Sequence, residues 1–278
     1  MTLVICFLIG ILAALVGSMM GLGGGIVLVP TLLLLHHHTE SFTWATSEVI
    51  VGISLFVMIF TALSATISYG KKGQIDYRTG LLFAVGSIPG GMIGSWLSQF
   101  IAGKLFAILF GCLMLFLTLL MIFLPSENAR SNWLSRRLQQ RLGRGNIRVI
   151  TLAGQTYTYK VPPLFTILLA IGIGVMSGLF GIGGGILLVP MMMMLFHIPA
   201  HIATATSMFT ILFISIASTS THVWLGHLVW GYALVFVPGA WMGAKLGAQI
   251  NQRLSTNALT WIFRLLIVIM GFRLIFSV

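Results

Sequence analysis

The chain has 278 residues, 58% of them hydrophobic and 7% charged, with a formal net charge of +11. A soluble domain carries about 25% charged residues, so this composition excludes an ordinary soluble enzyme or binding module. No nucleic-acid partner is expected either. Seven of the fifteen basic residues fall between Arg130 and Lys160, and residues 161–244 carry no Asp, Glu, Lys or Arg. That distribution suits a cytoplasmic connection beside anionic lipid.

Apolar runs of roughly 18 residues or more read as membrane helices, whereas a transmembrane barrel would show short alternating segments. The expected fold is an all-α integral membrane protein. The first run, 3–35, has no basic residue before it, the earliest being Lys71. It reads as permanent structure rather than a cleaved signal. Cys6 and Cys112 lie in apolar runs and read as buried thiols. The run contains GLGGGIVLVP, Gly21–Pro30. As one straight helix, 3–35 would measure about 50 Å against a hydrocarbon layer of about 30 Å. It is too long for one crossing and too short for two, so two shorter helices should meet at a break near Gly21–Gly25, with Pro30 in the second turn of the new helix. His36, His37 and His38 follow. Neighbours on a helix point apart and no Cys or acidic cluster accompanies them, so no metal and no other cofactor are expected.

Segment 44–70 opens on Thr46, Ser47 and Glu48, and Ser47, Ser54, Thr61 and Ser68 form a stripe at intervals of seven. Glu48, an ionisable group just inside a membrane segment, is a candidate for proton coupling. In the loop 71–78, Asp76 is expected to pair with Lys72 or Arg78. Segments 79–101 and 104–124 complete an N-terminal repeat, 1–124. The connection 125–163 contains a basic interfacial helix over 130–144 and an alternating stretch, 146–161, that reads as a β-hairpin outside the membrane. It serves as a tether between the halves or as a regulatory or partner-binding element.

The C-terminal repeat, 164–278, has segments 164–197, 203–225, 229–250 and 257–277. Its GIGGGILLVP, Gly181–Pro190, matches the earlier stretch at an offset of 160, and so does Ala205-Thr206-Ser207 with Ala45-Thr46-Ser47. A second break is therefore expected near Gly181–Gly185, with Pro190 in the turn after it. Pro238-Gly239 with Gly243 repeats Pro89-Gly90 with Gly94 at an offset of 149. Each half then has a glycine-broken helix pair plus three membrane helices. The charges Lys245 and Arg253 favour inverted repeats; a parallel arrangement stays open. Thr204, Ser207, Thr210, Ser215, Ser218, Thr221 and His222 cover one side of a helix. Lys245, Arg264 and Arg273 interrupt apolar runs, and Arg264, the deepest, is the candidate counter-charge for a substrate.

After each break a new helix begins whose first N–H groups lack partners at the positive end of the helix dipole. Such a terminus binds anions without a charged side chain. Irregular backbone at membrane depth survives where protein or a cavity surrounds it, and transporters place paired broken helices at mid-membrane. The expected substrate site is Gly21, Gly23, Gly24, Gly25, Thr46 and Ser47 with Gly181, Gly183, Gly184, Gly185, Thr206 and Ser207.

The duplicated GxGGGxxxxP, each copy followed by Ala-Thr-Ser, together with the later Pro-Gly…Gly stretches, resembles the sulfite exporter TauE/SafE family. The resemblance covers nearly the whole chain outside 125–163 and implies a multi-pass permease for sulfite, sulfonates or related organosulfur anions in the cell membrane. The expected partners are a small anion and membrane lipid, and a homo-oligomer is compatible with this. A passive anion channel is the alternative. An intramembrane enzyme would need a nucleophile–base pair or a ligand set, and the serines and histidines lack the GxSxG and HExxH contexts, so no enzymatic activity is expected.

Overall fold

The computed structural model describes residues 2–101, 103–122, 146–152, 155–254, 261 and 265. The chain forms α1 (Thr2–Met20), α2 (Gly25–His38), α3 (Ser47–Gly70), α4 (Tyr77–Leu97) and α5 (Gly103–Ile122), then strands β1 (Asn146–Leu152) and β2 (Gln155–Val161). It continues with α6 (Pro163–Phe180), α7 (Gly185–Leu195), α8 (Ala200–Trp224) and α9 (Trp230–Asn251). Helices over Thr2–Met20, Ser47–Gly70, Tyr77–Phe100, Pro163–Phe180 and Ala200–Trp224 are long and apolar enough to cross a membrane. Their outer faces are apolar as well: Leu8, Leu12, Val85, Ile93 and Leu168 are about half exposed. Water would not tolerate so continuous an apolar surface, whereas lipid does. Cys6 is buried as expected, but Cys112 is exposed on α5, where a thiol meets lipid as a small apolar group. The basic stretch 130–144 and the last apolar segment, 257–277, fall outside the described residues, positions 261 and 265 excepted.

The two halves interlock rather than sit side by side. α1 of the first half packs along α9 of the second, and α6 of the second packs along α4 of the first. Both crossings are made by glycines at every fourth position. A Cβ on Gly86, Gly90 or Gly94 would overlap the carbonyls of Ile167, Ile171 and Val175, and one on Gly239, Gly243 or Gly247 would overlap or press on those of Phe7, Ile11 and Leu15. Small residues at this spacing let helix backbones touch, which drives association where both lipid and protein are apolar. The order of these contacts makes α1 and α9 run in the same direction, and likewise α4 and α6. Gly52 near the start of α3 lies against His222 at the end of α8, and Asp76, just past α3, meets Thr206 near the start of α8. α3 and α8 therefore run in opposite directions.

These pairings correct the internal register of the repeat. Glycine breaks and first helices correspond at an offset of 160, but beyond them the offset is 153: Gly86, Gly90 and Gly94 match Gly239, Gly243 and Gly247. The Pro-Gly alignment at 149 is a coincidence of local sequence, and so is the Ala-Thr-Ser alignment at 160. The physical reason is a shorter passage from break to long helix, 185–199 in the second half against 25–46 in the first, a deletion of seven residues. Seven residues make two helical turns, so the shifted triplet still falls on the same face and resembles a true match.

The strands pair antiparallel, from Asn146 opposite Val161 to Leu152 opposite Gln155, as the alternating pattern predicts. The hairpin is tied to the helices through Asp76. This carboxylate does not pair with Lys72 or Arg78. It is buried and accepts from the Thr79 amide at 3.1 Å, the Thr79 hydroxyl at 2.5 Å and the Tyr159 hydroxyl of β2 at 2.7 Å. As N-cap of α4 it satisfies one of the orphan amides of that helix, and Lys72 and Arg78 are left exposed.

Candidate functional site

Both apolar segments are broken where the glycines predict. α1 stops at Met20 and α2 starts at Gly25; α6 stops at Phe180 and α7 starts at Gly185. Gly21, Gly23 and Gly24, and likewise Gly181, Gly183 and Gly184, have positive φ, up to 96° at Gly24. L side chains rarely adopt that conformation, which is why three glycines recur in each copy. All residues from Gly21 to Ile26 and from Gly181 to Ile186 are buried.

The two breaks touch each other reciprocally. A Cβ on Gly25 would overlap Gly181 O, and one on Gly185 would overlap Gly21 O. Beneath them lie two apolar residues shared by both copies: Met58 of α3 is the nearest neighbour of Gly23 and of Gly183, and Ile211 Cγ2 sits 3.3 Å from the Cβ position of each. With the breaks in contact, protein fills the space between them in this conformation, so an anion held by both at once requires them to separate.

Hydroxyls cover the acceptors of each break. Ser54 Oγ donates to Gly181 O at 2.6 Å, and Ser207 Oγ donates to Gly21 O at 2.8 Å and to Thr204 O at 2.8 Å. Ser54 and Ser207 are counterparts at the 153 offset. Neutralising these carbonyls removes the groups that would repel an anion. The donors are left over. Val27 and Leu28 N–H both donate to Gly24 O, and Leu187 and Leu188 N–H to Gly184 O. Gly25, Ile26, Gly185 and Ile186 N–H precede these and have no intrahelical carbonyl within reach. The polarity of each break is thus that of an amide donor pair at a helix start, in low dielectric, which favours negative charge.

The expected hydroxyls divide. Ser207 is at the break. Thr206 is buried two residues from Thr204 but its hydroxyl accepts from Asp76 N–H at 3.0 Å, so it serves the start of α4. Thr46 is the exposed N-cap of α3 and Ser47 begins that helix, roughly 10 Å along the axis from Ser54 at 1.5 Å per residue. Pro30 and Pro190 lie inside α2 and α7. Glu48 sits half-buried in the first turn of α3 near His227 of the α8–α9 turn, whose imidazole is pushed below its ordinary pKa by burial, with Glu48 opposing that shift. Arg264 lies outside the described residues. Every basic side chain whose surroundings are described, Lys71, Lys72, Arg78, Lys160, Lys245 and Arg253, is exposed. Among the described residues the breaks therefore bring backbone and hydroxyl groups to the centre and no cation.

Sequence reasoning missed Ser54, Met58, Ile211 and Asn251 as members of this centre. Asn251 Nδ2 donates to Met19 O at the end of α1. Ser54 was visible in the hydroxyl stripe and would have emerged at the 153 offset; Met58 and Ile211 are indistinguishable from any other apolar residue. Ser54→Ala and Ser207→Ala should each strip a buried carbonyl of its donor, at a cost of about 1–3 kcal/mol. The expected result is a fall of several degrees in the thermal midpoint in detergent, with Thr46→Ala unchanged because that hydroxyl caps nothing.

The model of the family described as "Sulfite exporter TauE/SafE" matches residues 6–274. A Bacillus subtilis (strain 168) protein named "Probable membrane transporter protein YunE" is 41% identical over 278 residues, covering 100% of this chain and 98% of that one. A "Probable membrane transporter protein" of Xylella fastidiosa (strain Temecula1) is 26% identical, covering 87% of this chain and 84% of its own. The Arabidopsis thaliana "Sulfite exporter TauE/SafE family protein 2" is 32% identical over 84 residues, 30% of this chain and 18% of the plant protein. No solved structure matches the chain.

Proposed function

The chain belongs to the sulfite exporter TauE/SafE family and has, among the described residues, five helices long and apolar enough to cross a membrane, and from that premise we propose that it carries a small sulfur oxyanion, sulfite or a sulfonate, across the cell membrane. The substrate meets the amide donors at the starts of α2 and α7, and the two halves, related by inversion, separate and rejoin around that point in alternating access. The observation that carries this reading is the reciprocal contact of two broken helices whose carbonyls are bonded to Ser54 and Ser207 while their leading amides have no intrahelical partner. The opposite directions of the counterparts α3 and α8 support inversion. The loop 71–78 and the connection 125–163 face the cytoplasm in this reading, because they hold most of the basic residues.

The test is uptake and counterflow in proteoliposomes with sulfite, competed by sulfate, thiosulfate, taurine and sulfoacetate. Organosulfur anions should compete and trans-stimulate; a channel gives no trans-stimulation. Gly24→Val and Gly184→Val, which force a branched side chain into positive φ, should lower the rate at least tenfold in protein that still inserts. Wild-type rates in both would remove the breaks from the mechanism.

A further inference from the structure

Hydroxyls in these helices mostly follow one rule, donating to the carbonyl one turn back, as Thr61, Ser87, Thr166 and Thr210 do. Besides Thr66 of α3, whose hydroxyl has no partner among the described residues, one group departs from it. Ser95, Ser177, Ser215, Ser218 and Thr219 are each at most 5% exposed, and none of their hydroxyls has a hydrogen-bond partner among the described residues, nor has Nε2 of the fully buried His222.

These groups are gathered in one place. A Cβ on Gly91 of α4 would lie 2.6 Å from Ser218 Oγ, and one on Gly178 of α6 would lie 2.9 Å from Ser95 Oγ and overlap Gly91 O. Ser95 and Ser218 thus flank the same close contact of α4 with α6. Ser215, Ser218, Thr219 and His222 occupy one face of α8, over about 10 Å. Ser177 brings the row to the second break: the Cβ position of Gly184 lies 3.4 Å from Ser177 Cβ and 3.5 Å from Ile214 Cδ1, one residue before Ser215. At the far end His222 Nδ1 is 3.1 Å from His227 Nδ1 in the α8–α9 turn.

The equivalent crossing of α1 and α3 with α9 supplies an internal control. At the offsets of 160 and 153, Ser177 corresponds to Gly17, Ser215 to Ala62, Ser218 to Ala65 and Ser95 to Ala248, while His222 corresponds to Tyr69, whose hydroxyl donates to Ser18 O at 2.7 Å; Thr219 corresponds to Thr66, whose hydroxyl also lacks a partner, so that position does not distinguish the two crossings. The same crossing therefore packs with Gly and Ala at these four positions. Packing does not require the hydroxyls, and an unpartnered buried hydroxyl is destabilising. Their use lies with a polar guest.

We propose that Ser95, Ser177, Ser215 and Ser218, with His222 behind them, form an oxyanion-binding site where α4 of the first half meets α6 and α8 of the second, holding the oxygens of a sulfite or sulfonate group beside the amides of the second break. Neutral donors match an anion's acceptor oxygens without the fixed cation that would retain it. The site makes the two breaks chemically unequal: at the first, the Ser18, Met19 and Gly21 carbonyls are each bonded by a side chain, whereas the second, where Ser54 bonds Gly181 O, also has the unpartnered hydroxyls beside it and receives the substrate.

The inference rests on the transport reading, and Ser177→Ala/Ser218→Ala tests it separately. Because the equivalent crossing already packs with Gly17 and Ala65 at these two positions, the double variant should fold with a thermal midpoint equal to or above wild type in the absence of anion. Its sulfite affinity, measured by equilibrium binding of labelled sulfite to the purified protein, should fall at least tenfold, with KM for transport raised to match. Ser220→Ala, whose exposed hydroxyl is bonded to Ile216 O, should match wild type. Unchanged sulfite affinity in the double variant, the signature of hydroxyls that hold only water, overturns the site while leaving the transport reading standing. A lowered midpoint with unchanged affinity does the same by assigning them to structure. Wild-type protein that neither binds nor moves any of the five anions overturns both.

Discussion

Gly25→Ala and Gly185→Ala are expected to abolish transport to the same extent, although each adds one methyl group to a different half. The methyl at residue 25 would run into Gly181 O and lie 2.6 Å from Met58 Cε; the one at residue 185 would run into Gly21 O and lie 2.7 Å from Ile211 Cδ1. A side-chain tip such as Met58 can move aside, but the two carbonyls are backbone and are held by Ser54 and Ser207. The breaks must part to admit the methyl. Overpacking of this kind costs about 1–3 kcal/mol, small enough for a membrane bundle to remain inserted and large enough to remove the contacting state from a two-state cycle. Transport should fall at least tenfold, with a lowered thermal midpoint. Gly172→Ala and Gly231→Ala meet no atom within 4 Å and serve as controls, neutral or slightly stabilising. Full activity in Gly25→Ala or Gly185→Ala would show that the cycle never uses the reciprocal contact.

The sequence reveals the breaks because their cause is local. Three glycines inside 33 apolar residues have no other economical use, and positive φ at Gly21, Gly23 and Gly24 and their counterparts is the reason they recur. The hairpin is legible for the same kind of reason, alternation over 146–161. What sequence hides is whatever depends on a partner far along the chain. Ser54 and Ser47 lie two turns apart on one face, and only the contact with Gly181 distinguishes them. The GxxxGxxxG stripes at 86–94 and 239–247 are plain in the residues, yet a nearby Pro-Gly match draws the eye to the wrong register. The buried hydroxyls of α8 read as a polar face; that three of them, with Ser95 and Ser177 beside them, lack partners among the described residues is a fact about α4 and α6.

Asp76 is the other place where a distant partner decides the outcome, and Asp76→Ala is expected to be the most destabilising single change outside the breaks. One carboxylate accepts three hydrogen bonds, from Thr79 N–H, Thr79 Oγ1 and Tyr159 Oη, and the Asp76 amide donates to Thr206 Oγ1. It thereby joins the α3–α4 turn of the first half, α8 of the second and the hairpin between them. Removing it takes away an N-cap, about 0.5–2 kcal/mol, and the charged acceptor of the Tyr159 hydroxyl, a hydrogen bond of about 1.5–3 kcal/mol. Asp76→Asn keeps one acceptor oxygen and should lose less, and Tyr159→Phe less still, since an apolar ring edge then faces a carboxylate that retains both Thr79 donors. The two sites are in direct contact, so the double variant Asp76→Asn/Tyr159→Phe should fall short of the sum of the singles by roughly 0.5–3 kcal/mol. The accompanying readout is proteolysis of the 146–161 hairpin, which Tyr159→Phe should accelerate without altering the helical content. Strictly additive stabilities and an unchanged cleavage rate would mean the hairpin is held by other contacts, and that the connection is a tether which transmits nothing between the halves.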